Sequence, residues 1–237
     1  MSARNPPTEI FIGCAGWSVP VKDRPAALSQ LAYYSQLFAC VEINSCFYRH
    51  HRPQTYARWA AETPAHFRFS LKIPKAVTHT GLTDFATLKR FLDESKELGV
   101  KRAILLLQLP PRFEFDVNVV ERFLQELRVN YLGKIVCEPR HRTWFTEGAR
   151  AQLQQFSIEY VLADPAPVEN APHVKTVDRA HYIRLHGAPK IYYSPYKSET
   201  LNQIASLLAI STRPWCIFDN TALGHAFTNA QELQKLV

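Results

Sequence analysis

Two hydrophobic rhythms alternate along this chain. Short β-branched or aromatic runs, read as strands, fall at Ile10–Cys14, Cys40–Asn44, Phe67–Lys72, Ala103–Gln108, Ile135–Glu138, Ile158–Ala163, Tyr182–His186 and Cys216–Asp219. Between them, apolar residues recur at three- and four-residue spacing over Ala26–Phe38, Gln54–Glu62, Asp84–Leu98, Asn118–Tyr131, Glu147–Phe156, Glu199–Leu208 and Ala226–Leu236. That spacing predicts amphipathic helices. The connection from Asp164 to Arg179 is proline-rich and predicts little helix.

Eight strands separated by crossovers in 237 residues are the pattern of an α/β protein, a single (β/α)8 TIM-like barrel domain over residues 1–237. Met1 to Thr8 is expected to be a flexible tail. A doubly wound open sheet is the alternative, but the G-x-G-x-x-G of a dinucleotide site is missing: Gly13-Cys14-Ala15-Gly16 does not supply it.

In such barrels, chemistry sits at the carboxyl ends of the strands. Those positions here hold Glu42, Asn44, Lys72, Gln108, Glu138, Arg140, His141, Asp164, Arg184, His186, Asp219 and Asn220. Strand parity sharpens the reading. If Val41 and Ile43 face the helices, Glu42 and Asn44 point inward, as do Arg68, Ser70 and Lys72, Glu138 and Arg140, and Arg184 and His186. Barrel interiors are normally filled with branched apolar side chains, so this one is unusually charged. Its ions must pair or bind something, because an unpaired buried ion costs several kcal/mol. Glu42 and Glu138 are the expected partners of Arg68, Lys72 or Arg184, and a closed network of internal ion pairs fits these residues as well as a reactive site does.

Composition narrows the rest. With 46% hydrophobic residues the chain is not globally disordered. No apolar stretch approaches the ~20 residues of a membrane span, and Met1–Thr8 carries no signal-like pattern, so a soluble cytoplasmic protein is expected. Cys14, Cys40, Cys46, Cys137 and Cys216 include no C-x-x-C pair and read as small buried hydrophobes. The net charge is +7, and between Cys40 and Thr80 six Lys or Arg meet only two acids. The loops Phe47–Arg52, Arg140–Trp144 and Tyr192–Lys197 interleave aromatics with cations, a composition that can stack on bases and contact phosphates. Glu42, Glu138, Asp164, His186 and Asp219 are metal-ligand types, but lysines and arginines crowd the same ring. No cofactor is therefore expected, and a divalent metal is the minor reading. No G-x-S-x-G or Cys–His arrangement indicates a nucleophile.

The chain resembles the YecE-like family, catalogued as domain of unknown function 72. The matching stretches are Ile12–Trp17, Val41–Arg49, Thr63-Pro64 with Phe67–Lys72, Thr78-His79, Leu107–Pro111, Glu138–His141 with Trp144, Arg184–Gly187 and Phe218–Asn220. The resemblance implies a TIM-like barrel and supplies no reaction. It draws attention to Glu42, Asn44, Tyr48, Arg49, Lys72, His79, Gln108, Glu138, Arg140, His141, Arg184, His186 and Asn220. Two departures stand out: a short connection after Trp17, and Asp219 where many relatives carry Asn.

These features lead to one expectation with two competitors. A phosphate-bearing ligand, nucleotide or nucleic acid, is expected to sit among Asn44, Tyr48, Arg49, Lys72, His79, Gln108, Arg140, Trp144, Arg184 and Asn220. If the protein is an enzyme, it is a hydrolase with Glu42 or Glu138 as base and His186 or His141 as acid. The competitors are a non-catalytic nucleic-acid-binding barrel and an enzyme of carboxylated or sugar metabolites. No membrane or protein partner is expected.

Overall fold

The computed structural model describes residues 9–20 and 25–237; the expected tail at residues 1–8 lies outside them. The chain is an α/β protein of parallel strands. Strands β1 (Phe11–Cys14), β2 (Cys40–Ile43), β3 (Arg68–Lys72), β4 (Arg102–Gln108), β5 (Lys134–Glu138), β6 (Ile158–Tyr160), β7 (Leu162–Asp164), β8 (Tyr182–Leu185) and β9 (Trp215–Phe218) form two sheets, ordered β1-β9-β8-β7 and β2-β3-β4-β5-β6. The run expected as one strand over Ile158–Ala163 is thus two. Its first half pairs with β5 and its second with β8, and Val161 between them donates its N–H to Cys137 O at 2.8 Å.

The helices are α1 (Gln30–Leu37), α2 (Ser45–Tyr48), α3 (Pro53–Ala61), α4 (Lys75–Thr78), α5 (Phe85–Ser95), α6 (Val117–Asn130), α7 (Glu147–Gln155), α8 (Ser198–Ala209) and α9 (His225–Gln234). Seven fall on the predicted amphipathic stretches. The single turns α2 and α4 escape prediction because they are too short to show a period. Side-chain caps fix several starts, with Ser29, Asp84, Asp116 and Thr146 each accepting from a backbone N–H of the first turn. The expected helix over Ala26–Phe38 therefore begins only after Ser29. Residues 165–181 contain no helix, as the prolines predict.

Strand parity divides the apolar residues into two sets. Val41, Ile43, Phe69, Leu71, Leu105, Leu107 and Ile183 pack beneath the helices in the main core. The opposite parity gives a smaller cluster that includes Phe11, Ile104, Leu106, Val136, Tyr182, Trp215 and Ile217. Further along the same strands, toward their carboxyl ends, that parity turns polar with Glu42, Ser70, Lys72, Glu138, Arg184 and Asp219, all buried.

The two sheets also meet between β1 and β2, where Ala15 bridges Glu42 and Gly16 donates its N–H to Glu42 O at 2.9 Å. Gly13 makes this approach possible, since a Cβ there would lie 2.2 Å from Cys40 O. The Tyr34 hydroxyl of α1 fills the gap, accepting from Cys14 N (2.8 Å) and donating to Cys40 O (3.0 Å). Tyr34→Phe leaves both buried backbone groups unpartnered, at ~1–3 kcal/mol each. Chemical denaturation should show a loss of ~2–6 kcal/mol; an unchanged midpoint would show that the hydroxyl is dispensable to the seam.

Candidate functional site

Arg184 enters from β8 with no exposed surface. Its Nε donates to Glu42 Oε2 (3.0 Å), its Nη1 to Glu138 Oε2 (2.6 Å), and its Nη2 to Glu42 Oε1 (2.8 Å) and Asp219 Oδ2 (3.0 Å). One guanidinium thereby gathers carboxylates from β2, from β5 and from the end of β9. Tyr182 completes the floor, its hydroxyl 2.9 Å from Glu42 Oε2 and 2.8 Å from Ser70 Oγ. Burial alone would drive Arg184 toward its neutral form, but Glu138, Glu42 and Asp219 outweigh it and hold the group charged. Removing one member of such a set costs ~3–5 kcal/mol, because the remaining charge is stranded.

Above this floor the groups are less completely matched. Glu138 Oε1 accepts from Arg140 Nη2 at 2.8 Å and Nε at 3.1 Å. His186 Nδ1 lies 3.0 Å from Asp219 Oδ2. Its Nε2 is 3.3 Å from Glu138 Oε1, within ion-pair reach, yet makes no hydrogen bond although it is enclosed. Burial favours neutral imidazole, while Glu138 and the bond to Asp219 together raise the His186 pKa. Glu138 and Asp219 feel burial in the opposite sense, and the adjacent cations, Arg184 first, keep both below the usual carboxylate range. A cavity of about 240 Å³ opens on Glu138, Arg140 and His186, walled by Pro111, Pro165 and Ile191. The Tyr192 ring stands 6.1 Å from the His186 ring.

Lys72 occupies the end of β3 with 8% of its surface exposed. Its Nζ rests 4.1 Å from the centroid of Phe47 and has neither a hydrogen bond nor an ion pair among the described residues. Burial, then the Arg184 charge, lowers its pKa to about 8. Phe47 also packs on His79, whose ring is 5.2 Å from it in a T-shaped arrangement. Burial and the cations Lys72, Lys75, Arg112 and Arg140 bring the His79 pKa down to about 4. His79 lines a second cavity, of about 490 Å³, with Tyr48, Arg49, His50, Lys75, Arg90 and Arg112; Glu94 is its one carboxylate.

The sequence-derived candidates therefore separate. Glu42, Glu138, Arg140, Arg184 and His186 meet in one cluster, whereas Tyr48, Arg49 and His79 line the neighbouring cavity. Arg68, expected inward, turns back at the amino end of β3 to the carbonyls of Ala65 and Phe67. Of the expected cationic partners, Arg184 alone meets Glu42. Asn44 leaves strand parity because its backbone is already helical, and its Oδ1 is enclosed without a partner. Asn220 Oδ1 is likewise unpartnered, while its Nδ2 donates to Ser194 O and Asn229 Oδ1. Gln108, beside Glu138 in register, donates to Leu109 O.

Two candidates lie off the cluster. Trp144 is fully buried, donating Nε1–H to Phe113 O at 2.9 Å and packing on Phe115. The structure thus places it in the core, away from the ion cluster and without exposed surface. His141 pairs with Thr143 and approaches Glu114, not the members of the cluster. The sequence marks Asp219 as a strand-end residue, a metal-ligand type and a departure from the family pattern, but not as a partner of Arg184. Here its carboxylate, with Glu42 and Glu138, converges on the Arg184 guanidinium, and among the described residues no three His, Cys, Asp or Glu are placed to hold a metal ion. Tyr182 was legible in principle, since it lies two residues before Arg184 on the inward parity.

Parallel strands ending in a buried ion cluster, with helices on the outside, define an α/β protein whose polar residues collect at one end of its sheets. Residues 11–237 match the family model described as a protein of unknown function, DUF72. The chain belongs to the DUF72 family. It is 30% identical over 179 residues to the UPF0759 protein YecE of Escherichia coli K12, a match covering 71% of this chain and 64% of that protein. A DUF72 family protein from Enterococcus faecalis V583 superposes with a TM-score of 0.78 at 19% identity, covering 96% of this chain and 94% of the other. A sugar phosphate isomerase/epimerase from Parabacteroides distasonis gives 0.56 at 12% identity, over 99% and 94% of the two chains, a likeness of fold alone. Among the described residues no helix is long and apolar enough to cross a membrane.

The ionisations make opposite contributions to stability. Charged His186 contributes fully below its unfolded pKa of about 6.5, and this contribution is lost as pH rises through the higher folded value. Glu138 and Asp219 contribute above their unfolded values of about 4, and their share is lost as pH falls through the lower folded ones. Asp219→Asn removes one anion from His186 and should bring its imidazole pKa down, as read by NMR titration of the ring protons. An unmoved pKa would mean that Asp219 does not set the charge of His186.

Proposed function

We propose that the two sheets close into one eight-position TIM-like (β/α)8 barrel, and that its carboxyl-end face binds a phosphate-bearing ligand, a nucleotide or a nucleic-acid segment. Barrel closure is supported by the Ala15–Glu42 bridge on one side and the continuous chain through Val161 on the other. The ligand reading rests on one observation above all: the rim is cationic where the floor is matched. Arg49, Lys75, Arg90 and Arg112 face Glu94 alone in the 490 Å³ cavity, and the unpaired Lys72 ammonium rests on the ring of Phe47, which lines that cavity. Arg140, with one face on Glu138, presents a guanidinium suited to a phosphate.

Hydrolysis at this face would use His186 as proton donor through Nε2, which faces Glu138 at 3.3 Å, with ionised Glu138 and Asp219 keeping the ring charged. Glu42, closed in by Arg184 and Tyr182, acts in this reading as the counter-ion of Arg184 and not as a base. The reading invokes no cofactor.

The test is a titration of a labelled single-stranded oligonucleotide at several salt concentrations, beside Arg49→Ala and Arg140→Ala. Binding should weaken with salt at a log–log slope of ~0.7 per phosphate neutralised. Each substitution should weaken it ~10-fold, the scale of one charge-assisted hydrogen bond. Absence of binding at low salt, or affinities indifferent to both substitutions, would remove the nucleic-acid reading. An oligonucleotide recovered intact after long incubation would make the site a binding module.

A further inference from the structure

Among the described residues, Lys72 stands out from the other buried ions. Arg184 has three carboxylates and Arg140 has one, but the Lys72 Nζ has only the face of Phe47, although Glu42, Glu138 and Asp219 all act on it electrostatically. A lysine serving only as a counter-ion would be expected to touch one of those carboxylates. A lysine stacked on an aromatic ring, with its tip at the strand mouth, is held in one place with its nitrogen uncommitted. His186 belongs to the same carboxylate cluster, its Nε2 facing Glu138 Oε1 at 3.3 Å. Buried polar atoms are normally partnered, so the uncommitted Lys72 nitrogen points to a missing group.

We propose that Lys72 is an imine-forming nucleophile and that the ligand of this face is a phosphate-bearing aldehyde or ketone. The inference rests on the phosphate reading above and narrows it to a substrate class. In the step, the neutral Nζ adds to the carbonyl carbon. The N–C bond forms as the C=O π pair moves to oxygen, which takes a proton from His186. The added nitrogen passes one of its two protons to that oxygen, which leaves as water as the freed nitrogen lone pair closes the C=N bond. One carbonyl, one neutral amine and the proton from His186 give one protonated imine and one water, and His186 is left neutral. With a pKa of about 8, roughly a tenth of Lys72 is neutral at pH 7, against well under a hundredth of an ordinary exposed lysine. The carboxylates around it stabilise the cationic imine once it forms.

The experiment is reductive trapping of the whole protein with glyceraldehyde 3-phosphate and cyanoborohydride, which reduces an imine to a stable secondary amine. Peptide mass spectrometry then compares Lys72 with its exposed neighbour Lys75 in the same sample. Lys72 should be labelled at least about tenfold faster than Lys75, following the difference in neutral amine. Glycerol 3-phosphate, which carries the phosphate but no carbonyl, should bind and suppress the labelling. Lys72→Arg, checked for folding by its melting curve, should abolish the adduct at position 72 without raising labelling elsewhere. Labelling of Lys72 no faster than of Lys75, with glycerol 3-phosphate still binding, would overturn the nucleophile and leave the phosphate site standing. Rapid labelling of Lys72 that glycerol 3-phosphate neither slows nor competes with would instead overturn the phosphate-bearing substrate class.

Discussion

Arg184 is both fully buried and permanently charged, and much of the architecture follows from that conflict. A guanidinium cannot shed its proton to escape desolvation, so carboxylates must be brought to it. They arrive from β2, β5 and the end of β9, strands separated by most of the chain, and two of them belong to one sheet and one to the other side of the molecule. The network therefore checks that the strands have assembled in register. A slip of one residue in β8 would exchange Arg184 for an apolar neighbour and leave three carboxylates without a counter-ion. The network's specificity is a firmer inference than its net contribution to stability, because desolvation consumes much of the attraction between buried ions.

That floor determines what the layer above it can do. Because Glu138 and Asp219 are held ionised by Arg184, they keep the His186 ring charged and oriented without themselves accepting protons readily. Arg140 draws its orientation from the same Glu138. The residues open to a ligand are thus positioned by residues that are not. Lys72 and the basic cavity lined by Phe47 complete a rim in which burial, and then the surrounding cations, depress the pKa of His79.

Much of this was legible before any coordinates. The two periodicities placed seven helices and the strand positions, and the parity argument put Glu42, Ser70, Lys72, Glu138 and Arg184 on one face. What escaped has physical causes. Parity holds only while the backbone is extended, so it misplaced Asn44, where the chain has already turned helical. It cannot show where a long side chain bends, so Arg68 was given to the cluster when it folds back onto nearby carbonyls. Trp144 reads as a loop aromatic because the single helical turn at Arg142–Phe145 that holds it is too short to carry a pattern. The partition of cations into paired and unpaired is a matter of ångströms, and no spacing along the chain encodes it.

The proposal divides the site between a fixed floor and a rim that binds the ligand. Arginine Nε and histidine ring signals in an NMR titration with adenosine monophosphate test it directly. The account predicts that Arg140 and His186 shift progressively with ligand while Arg184 Nε, locked to Glu42, stays in place. Equal movement of Arg184, or stationary signals from Arg140 and His186 at saturating ligand, would contradict it.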